Sequence, residues 1–453
     1  MQTASKKVVN GWAMYDWANS VYSLVITSTI FPAYYEGITS GKIVNFLGRA
    51  FKEPSALYNY AVSFSFLFIA IISPLMSSIA DYKGSKKSFM KFFCYLGALS
   101  CCGMFFFTET NVTTGVILFI IASIGFSGSI VFYNSYLPEI ASVEDQDRVS
   151  AKGFSLGYIG SVILLILCLI MVTKHELFGI PNAGVASRIS FLLTGLWWMG
   201  FAQITFSTLP KTLPAPQTKG NSFLTKGYAE LKKVWQELKH QPVLKRFLFS
   251  FLFISMGVQT VMYSAALFAS QQIFPNDPNN PEVSKANSGK LMLTILIIQI
   301  VAILGSYLFS NLSKKFGNFK VLVIAVLIWI GICISAYFTT TQVQFYILAA
   351  TVGLVMGGIQ SLCRSTYSKY MPPTHDTASY FSFYDVCEKL GTVIGTATFG
   401  IVTESLGGMR NAVLFLMTYF IIALIGLIYA MRLPKANINL DEIPEGSPIL
   451  ANG

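Results

Sequence analysis

The chain is 453 residues long, 53% hydrophobic and only 12% charged, with a mean hydropathy of +0.58. Soluble domains carry about 25% charged residues, so most of this surface cannot face water and a soluble globular protein is excluded. The net charge of +11 needs no nucleic acid as partner, because basic loops beside anionic lipid headgroups account for it.

Apolar runs near the ~20-residue length that crosses a hydrocarbon core recur along the chain. They fall at 12–33, 56–79, 89–108, 114–137, 153–173 and 187–208, then at 246–270, 290–312, 318–339, 343–370, 380–402 and 411–431. About twelve transmembrane helices are predicted, an all-α membrane protein. The opening MQTASKKVVNGW lacks the apolar core and small-residue cleavage site of a signal peptide, so the first helix is expected to remain and to begin in the cytoplasm. An even number of helices then returns the C-terminus to the same side. Of the 32 lysines and arginines, 24 fall in segments assigned inside, which obeys the positive-inside rule. The expected location is the inner membrane, multi-pass, with both termini cytoplasmic.

The first helix carries YDWANSVY at 15–22. Asp16, Asn19, Ser20, Ser23 and Thr27 recur at helical spacing and form a polar stripe, as on a helix lining an aqueous cavity. A structural alternative stands beside it: Asp16 as partner of Lys152, or as an acid at a helix N-terminus. After the second helix comes IADYKGSKK (79–87), with an acid at a helix end, a glycine turn at Gly84 and then basic residues. FYNSYLPEIA (132–141) offers Tyr133 and Asn134 as hydrogen-bonding groups, while Pro138 and Glu139 read as a helix terminus. In RVSAKGFSLGYIG (148–160), Gly153, Gly157 and Gly160 have helix-packing spacing, no phosphate-loop spacing is present, and Tyr158 adds a polar group.

Residues 209–245 form the longest polar interval. A proline-rich break, LPKTLPAP, precedes an amphipathic helix in which Leu224, Tyr228, Leu231, Trp235 and Leu238 share a face, expected to lie at the cytoplasmic interface. This linker separates an N-terminal six-helix half (1–208) from a C-terminal half (246–435), with a cytoplasmic tail at 436–453. The halves repeat at an offset of 233 to 234 residues: IADYKGSKK matches LSKKFGNFK (312–320) with Gly84 at Gly317, and YLP (136–138) matches YMP (370–372). Duplicated halves around a central cavity are a transporter architecture.

In the second half, the seventh helix offers Ser255, Gln259 and Tyr263 at four-residue steps. The tenth offers Gly353, Gly357, Gln360, Arg364 and Ser368, and the eleventh Asp385, Glu388, Lys389, Thr392 and Thr396. A charge at the bilayer centre costs about 2.5–3.5 kcal/mol, so each such group needs a partner or a wet cavity. Arg364 suits a substrate carboxylate or a static pair. Asp385 and Glu388 read equally as coupling acids or structural partners, and Lys389 can snorkel. Asp16, Arg364, Asp385, Glu388 and Lys389 together leave one surplus negative charge, which suggests proton coupling through Asp16 or Glu388.

IADYKGSKK resembles the loop signature of the major facilitator superfamily. YDWANS, FYNSYLPEIA, RVSAKGFSLGYIG and GGIQSLCRSTYSKYMPP (357–373) resemble its bacterial branch related to the autophagy-linked vacuolar amino-acid effluxers. The resemblance implies a twelve-helix facilitator fold, a gating latch at Asp81 with its turn at Gly84, and export of amino acids or similar solutes. Two departures stand out. Met256 occupies the place of an acid usual in the family's seventh helix, and YDVCEK (384–389) replaces Y-N-V-S-G-K, introducing Asp385 and Glu388.

The function expected is a secondary transporter of small polar or zwitterionic solutes working by alternating access. Its binding residues would be Asn19, Ser23, Tyr133, Asn134, Tyr158, Gln259, Gln360 and Arg364, and its coupling or ion-pair residues Asp16, Asp385, Glu388 and Lys389. The expected partners are a small-molecule substrate, protons and the lipid bilayer, for a monomer with no cofactor and no metal. A permease for peptides, cell-wall fragments or other organic solutes is the alternative, followed by a transport-inactive sensor. An intramembrane enzyme ranks last, since no nucleophile–base pair or metal set appears.

Overall fold

Hydrocarbon offers no partner to a backbone N–H or C=O, so a chain this apolar must close its hydrogen bonds within helices. The structure, a computed structural model, describes residues 2–52, 54–210, 223–275, 281–405 and 408–432. At 55, 223–231, 281, 282, 284, 285 and 288 only the backbone is described.

The first helix starts at α1 (Lys6–Val21), passes through a nine-residue π-helical segment (Tyr22–Ile30) and ends as α2 (Phe31–Thr39). A hairpin of β1 (Val44–Phe46) and β2 (Arg49–Phe51) follows, turning at Leu47 and Gly48, both at positive φ as a two-residue type I′ connection requires. Then come α3 (Pro54–Lys83), α4 (Lys86–Gly103), α5 (Val112–Ser135), the single turn α6 (Leu137–Ile140), α7 (Gln146–Thr173) and α8 (Ala183–Thr208). Helix α9 (Phe223–His240) is the amphipathic linker helix. The series ends with α10 (Pro242–Gln272), α11 (Pro281–Phe316), α12 (Asn318–Phe338), α13 (Gln342–Tyr370), α14 (Thr377–Ser405) and α15 (Met409–Met431). Among the described residues ten helices are long and apolar enough to cross a membrane. The two other expected spans coincide with Lys6–Thr39 and α14, the helical stretches that carry the polar and charged residues of YDWANS and YDVCEK.

The chain divides into two compact units. One comprises Ala4–Tyr136 and Leu156–Gly227, the other Met1–Thr3, Leu137–Ser155 and Tyr228–Gly453. In the first, α4 packs on α5 and α8, and α1 packs on α8; in the second, α11 packs on α13, and α10 packs on α14 and α15. The short stretch Leu137–Ser155 lies between helices of the first unit in sequence and groups with the second in space.

Two expectations need adjusting. The stripe from Asp16 to Thr27 assumes α-winding, but the π segment bonds five residues back, as Phe31 N–H does to the Ile26 carbonyl, and the Ser28 and Thr29 hydroxyls donate to the carbonyls of Ser23 and Leu24. Thr27 is buried, and its carbonyl takes the Tyr58 hydroxyl at 2.8 Å. Helix α9 docks on the start of α14. Val234 and Leu238 are buried, Trp235 stacks on Phe383, Tyr380 donates to Glu237 at 2.9 Å, and Lys233 meets Asp376 at 3.3 Å. Leu224, Tyr228, Leu231 and the break at 211–222 lie outside the described side chains.

Helices approach closest where glycine leaves the backbone bare. A Cβ at Gly395 would stand 2.5 Å from the Met256 carbonyl and the Thr260 hydroxyl, and one at Gly391 2.8 Å from the Ser255 Cβ. Gly157 and Gly160 let α7 rest on α1 at Ser20 and Trp17, as their spacing predicts. Overpacking of a tight contact typically costs about 1–3 kcal/mol. Gly395→Leu should therefore lower the thermal unfolding midpoint of the detergent-purified protein, while Gly400→Ala, into open space, leaves it unchanged or slightly raised.

Candidate functional site

In the first unit α1 presents its polar residues to α5. Trp12 fixes the geometry: its indole stacks on Tyr133 with centroids 4.4 Å apart, and its Nε1 donates to the Tyr133 carbonyl at 2.9 Å. Held so, Tyr133 donates its hydroxyl to Asp16 Oδ2 at 2.7 Å, with Asp16 only 8% exposed. One turn on, Asn19 is 1% exposed; its Oδ1 accepts from Ser20 at 3.4 Å while its Nδ2 reaches no partner. Ser23 is half-buried and donates back to the Ser20 carbonyl. Asn134 and Tyr158 are buried in the same unit. The sequence thus names residues that the fold brings together: Asp16 with Tyr133, and Asn19 on the adjoining turn.

In the second unit the close approach of α10 and α14 sets Gln259 against Glu388, Nε2 to Oε1 at 3.1 Å. Lys389 lies between two acids, its Nζ 3.5 Å from Asp385 Oδ1 and 3.6 Å from Glu388 Oε1. Asp385 is 1% exposed and neither of its carboxylate oxygens accepts a hydrogen bond, whereas a quarter of the Glu388 side chain is open. Tyr263, one turn beyond Gln259, is 38% exposed, and Gln360 on α13 is half-buried with its amide on the Met262 sulfur at 3.4 Å.

Arg364 belongs to a different constellation in this conformation. Its Nε donates to the Ser150 hydroxyl at 2.9 Å and its Nη2 to the Ser150 carbonyl at 2.8 Å, with the guanidinium 4.2 Å above the Phe154 ring. Nearby, Asp147 gathers three side chains from three helices, and a fourth joins through one of them. Lys369 Nζ sits 2.5 Å from Oδ2, the Ser313 hydroxyl donates to Oδ2 at 2.6 Å, and Asn318 Nδ2 donates to Oδ1 at 2.8 Å and to the Thr366 hydroxyl at 3.0 Å. Asp147 is 1% exposed, and sequence reading missed it. It sits in VEDQDR, a charge run that looks solvated; the usable signal was its three-residue spacing to Ser150, which puts both on one helical face.

Two residues earlier, Thr3 donates to Asp145 at 2.7 Å, and with Arg148 this holds the Asp145 carboxyl below its ordinary value. An acid depressed on folding contributes stability above its ordinary pKa, lost as pH falls through the lowered one, so this contact loosens only in strong acid.

At the α3–α4 turn Asp81 pairs with Lys86 at 3.1 Å, both almost fully buried, and Gly84 takes the positive φ its place in the motif calls for, as does Gly317 between α11 and α12. Among the described residues no three His, Cys, Asp or Glu side chains cluster as a metal site. A cavity of about 420 Å³ beside the hairpin is lined by Thr39, Lys42, Asn45 and Glu109, and one of about 60 Å³ with apolar walls lies between Phe268, Cys333 and Val352. Neither reaches the charged clusters.

The family described as "Vacuole effluxer Atg22 like" matches residues 4–440. The MFS-type transporter YxiO of Bacillus subtilis (strain 168) is 28% identical over 441 residues, covering 96% of this chain and 97% of that protein. Autophagy-related protein 22 of Coccidioides immitis (strain RS) is 24% identical, over 91% of this chain and 84% of its own. Among solved structures the proton:xylose symporter XylE superposes with a TM-score of 0.69 at 12% identity, covering 94% of each chain. The fucose transporter FucP in its outward conformation gives 0.64 at 14%, covering 94% of this chain and 99% of its own. These likenesses establish the all-α major facilitator fold. With almost its whole length matched, the chain belongs to the Atg22-like vacuole effluxer family, multi-pass membrane transporters of the major facilitator superfamily.

Proposed function

We propose that the protein is a secondary active transporter that exports small zwitterionic solutes, amino acids foremost, by alternating access coupled to protons. In this reading it works as a monomer in the inner membrane with both termini cytoplasmic. The observation that carries it is the charged triad of Asp385, Glu388 and Lys389, the first and last buried, against Gln259. Ionised groups within a membrane helix are costly, and they mark pathways for substrates and ions. The family's description as an effluxer supports the direction. Asp16, buried and taking the Tyr133 hydroxyl on its carboxylate, is the proton carrier of this scheme. Asn19, with an unused amide donor, is its neighbour on the substrate side.

Alternating access also needs a closure that can be undone. The Asp147 network ties the start of α7 to the ends of α11 and α13 and the start of α12, and Arg364 fastens the next turn of α7 to α13. Glu139 accepts from Thr377 at 2.7 Å beside them. In the second copy of the loop motif, which lacks its acid at Lys314, Asp147 supplies that charge from another helix. In this reading Arg364 serves the closure, supported by its bonds to Ser150.

Two outcomes follow. In proteoliposomes loaded with a panel of labelled amino acids, an imposed pH gradient should accelerate flux, and Asp16→Asn should lower it at least tenfold. Flux indifferent to the gradient, with Asp16→Asn matching wild type, would refute proton coupling. Removing one partner of a buried pair costs about 3–5 kcal/mol. Asp147→Asn should therefore lower the unfolding midpoint and speed amide exchange across 313–320, whereas Lys42→Gln, breaking a pair exposed at 56% and 63%, changes stability by less than ~1 kcal/mol.

A further inference from the structure

The α14 triad is incompletely satisfied in a specific way. Two carboxylates share one ammonium, and that ammonium sits at the limit of direct bonding to both, 3.5 Å from Asp385 and 3.6 Å from Glu388. Asp385, almost fully buried, accepts no hydrogen bond at either oxygen. Glu388 takes the Gln259 amide and the Lys389 ammonium on the same atom, Oε1, and among the described residues no donor reaches its Oε2. It is also the member with open surface, at 25%. A surplus negative charge, an empty acceptor oxygen and a buried acid awaiting its donor describe a site short of one cation.

We infer that Glu388 is the subsite for the ammonium group of the transported solute, and that Lys389 passes from Glu388 to Asp385 as that group binds. An arriving ammonium takes Oε2 and neutralises Glu388; Lys389, released from sharing, closes on Asp385 and gives it the hydrogen bond it lacks. Two stretched pairs become two short ones. Gln259 remains on Oε1 and holds the carboxylate plane for the incoming donor. A sodium ion would meet the same carboxylates, but only an ammonium offers directed N–H donors to an acid already held in plane by an amide. The subsite rests on the transporter reading and narrows its substrates to solutes bearing an unmodified amine.

The test uses the intact protein in detergent, with thermal stabilisation as readout, and three probe sets: the twenty proteinogenic amino acids, their N-acetyl derivatives, and the monoamines from methylamine to hexylamine. Amine-bearing probes should stabilise, and N-acetylation should weaken binding at least tenfold. Glu388→Gln should weaken the amine probes at least tenfold. Lys389→Gln, which removes the resident competitor, should tighten them about threefold, a gain that a merely structural lysine would not give. Asp385→Asn, which strands Lys389 on Glu388, should weaken them severalfold. Monoamines that stabilise where amino acids do not would overturn the zwitterion reading and leave the ammonium subsite standing. N-acetyl derivatives binding as well as their parents, or Glu388→Gln and Lys389→Gln both matching wild type, would overturn the subsite and leave transport intact. Sodium stabilising in place of every amine would overturn it as well.

Discussion

The backbone contact between α10 and α14 determines most of the chemistry in the second unit. At Gly391 and Gly395 α14 brings bare backbone against Ser255, Met256 and Thr260 of α10, and Gly395 faces the carbonyl of Met256 directly. That approach brings Gln259 within 3.1 Å of Glu388, one turn from where the family's usual seventh-helix acid is replaced by methionine. A wider spacing would leave the carboxylate of Glu388 and the amide of Gln259 without each other. In a bilayer, where lipid tails are as apolar as leucine, packing and interhelical hydrogen bonds are what hold such helices together. The glycines and the polar pair are therefore a single arrangement, with geometry supplied by one and direction by the other.

The two units solve the problem of a buried carboxylate differently. Asp16 is served by a tyrosine that is itself clamped by a tryptophan through stacking and a backbone hydrogen bond, a rigid arrangement. Asp385 has an adjacent cation but no hydrogen bond, on a helix where a second acid competes for that cation. Low dielectric makes both situations energetically sharp, because a satisfied pair gains and an unsatisfied one loses more than in water. The first unit holds its acid still and the second holds its acids in tension. A carrier that must alternate between states needs at least one site of the second kind.

Much of the fold was legible because membrane spans are dictated locally: bilayer thickness fixes the length, and hydropathy reports it without reference to distant residues. The turn glycines Gly84 and Gly317 were legible too, because a motif repeated at one offset needs the same backbone geometry twice. What escaped depends on tertiary neighbours. Four-residue steps tell which face of α10 bears Gln259 but not that Glu388 lies opposite. Asp147 sits in a run of charges that reads as solvated, and its burial is decided by Ser313, Asn318 and Lys369, all more than 160 residues away. The π winding at Tyr22–Ile30 has no glycine within it to announce it, and the hairpin turns on Leu-Gly where Asn-Gly would have been the clearer signal. Arg364 was legible as a charge that needs a partner, but that Ser150 is one such partner was not.

The segment Leu137–Ser155 carries a consequence for biosynthesis. It leaves the ribosome between helices of the first unit, yet its partners belong to chain made much later: Ser313 follows Asp147 by 166 residues and Lys369 by 222. At about 5–20 residues per second, Asp147 waits on the order of 10–40 s before its ammonium partner exists. Throughout that interval the start of α7 must be kept hydrated or chaperoned, so the order of synthesis makes this acid among the last groups of the first six helices to reach its native surroundings.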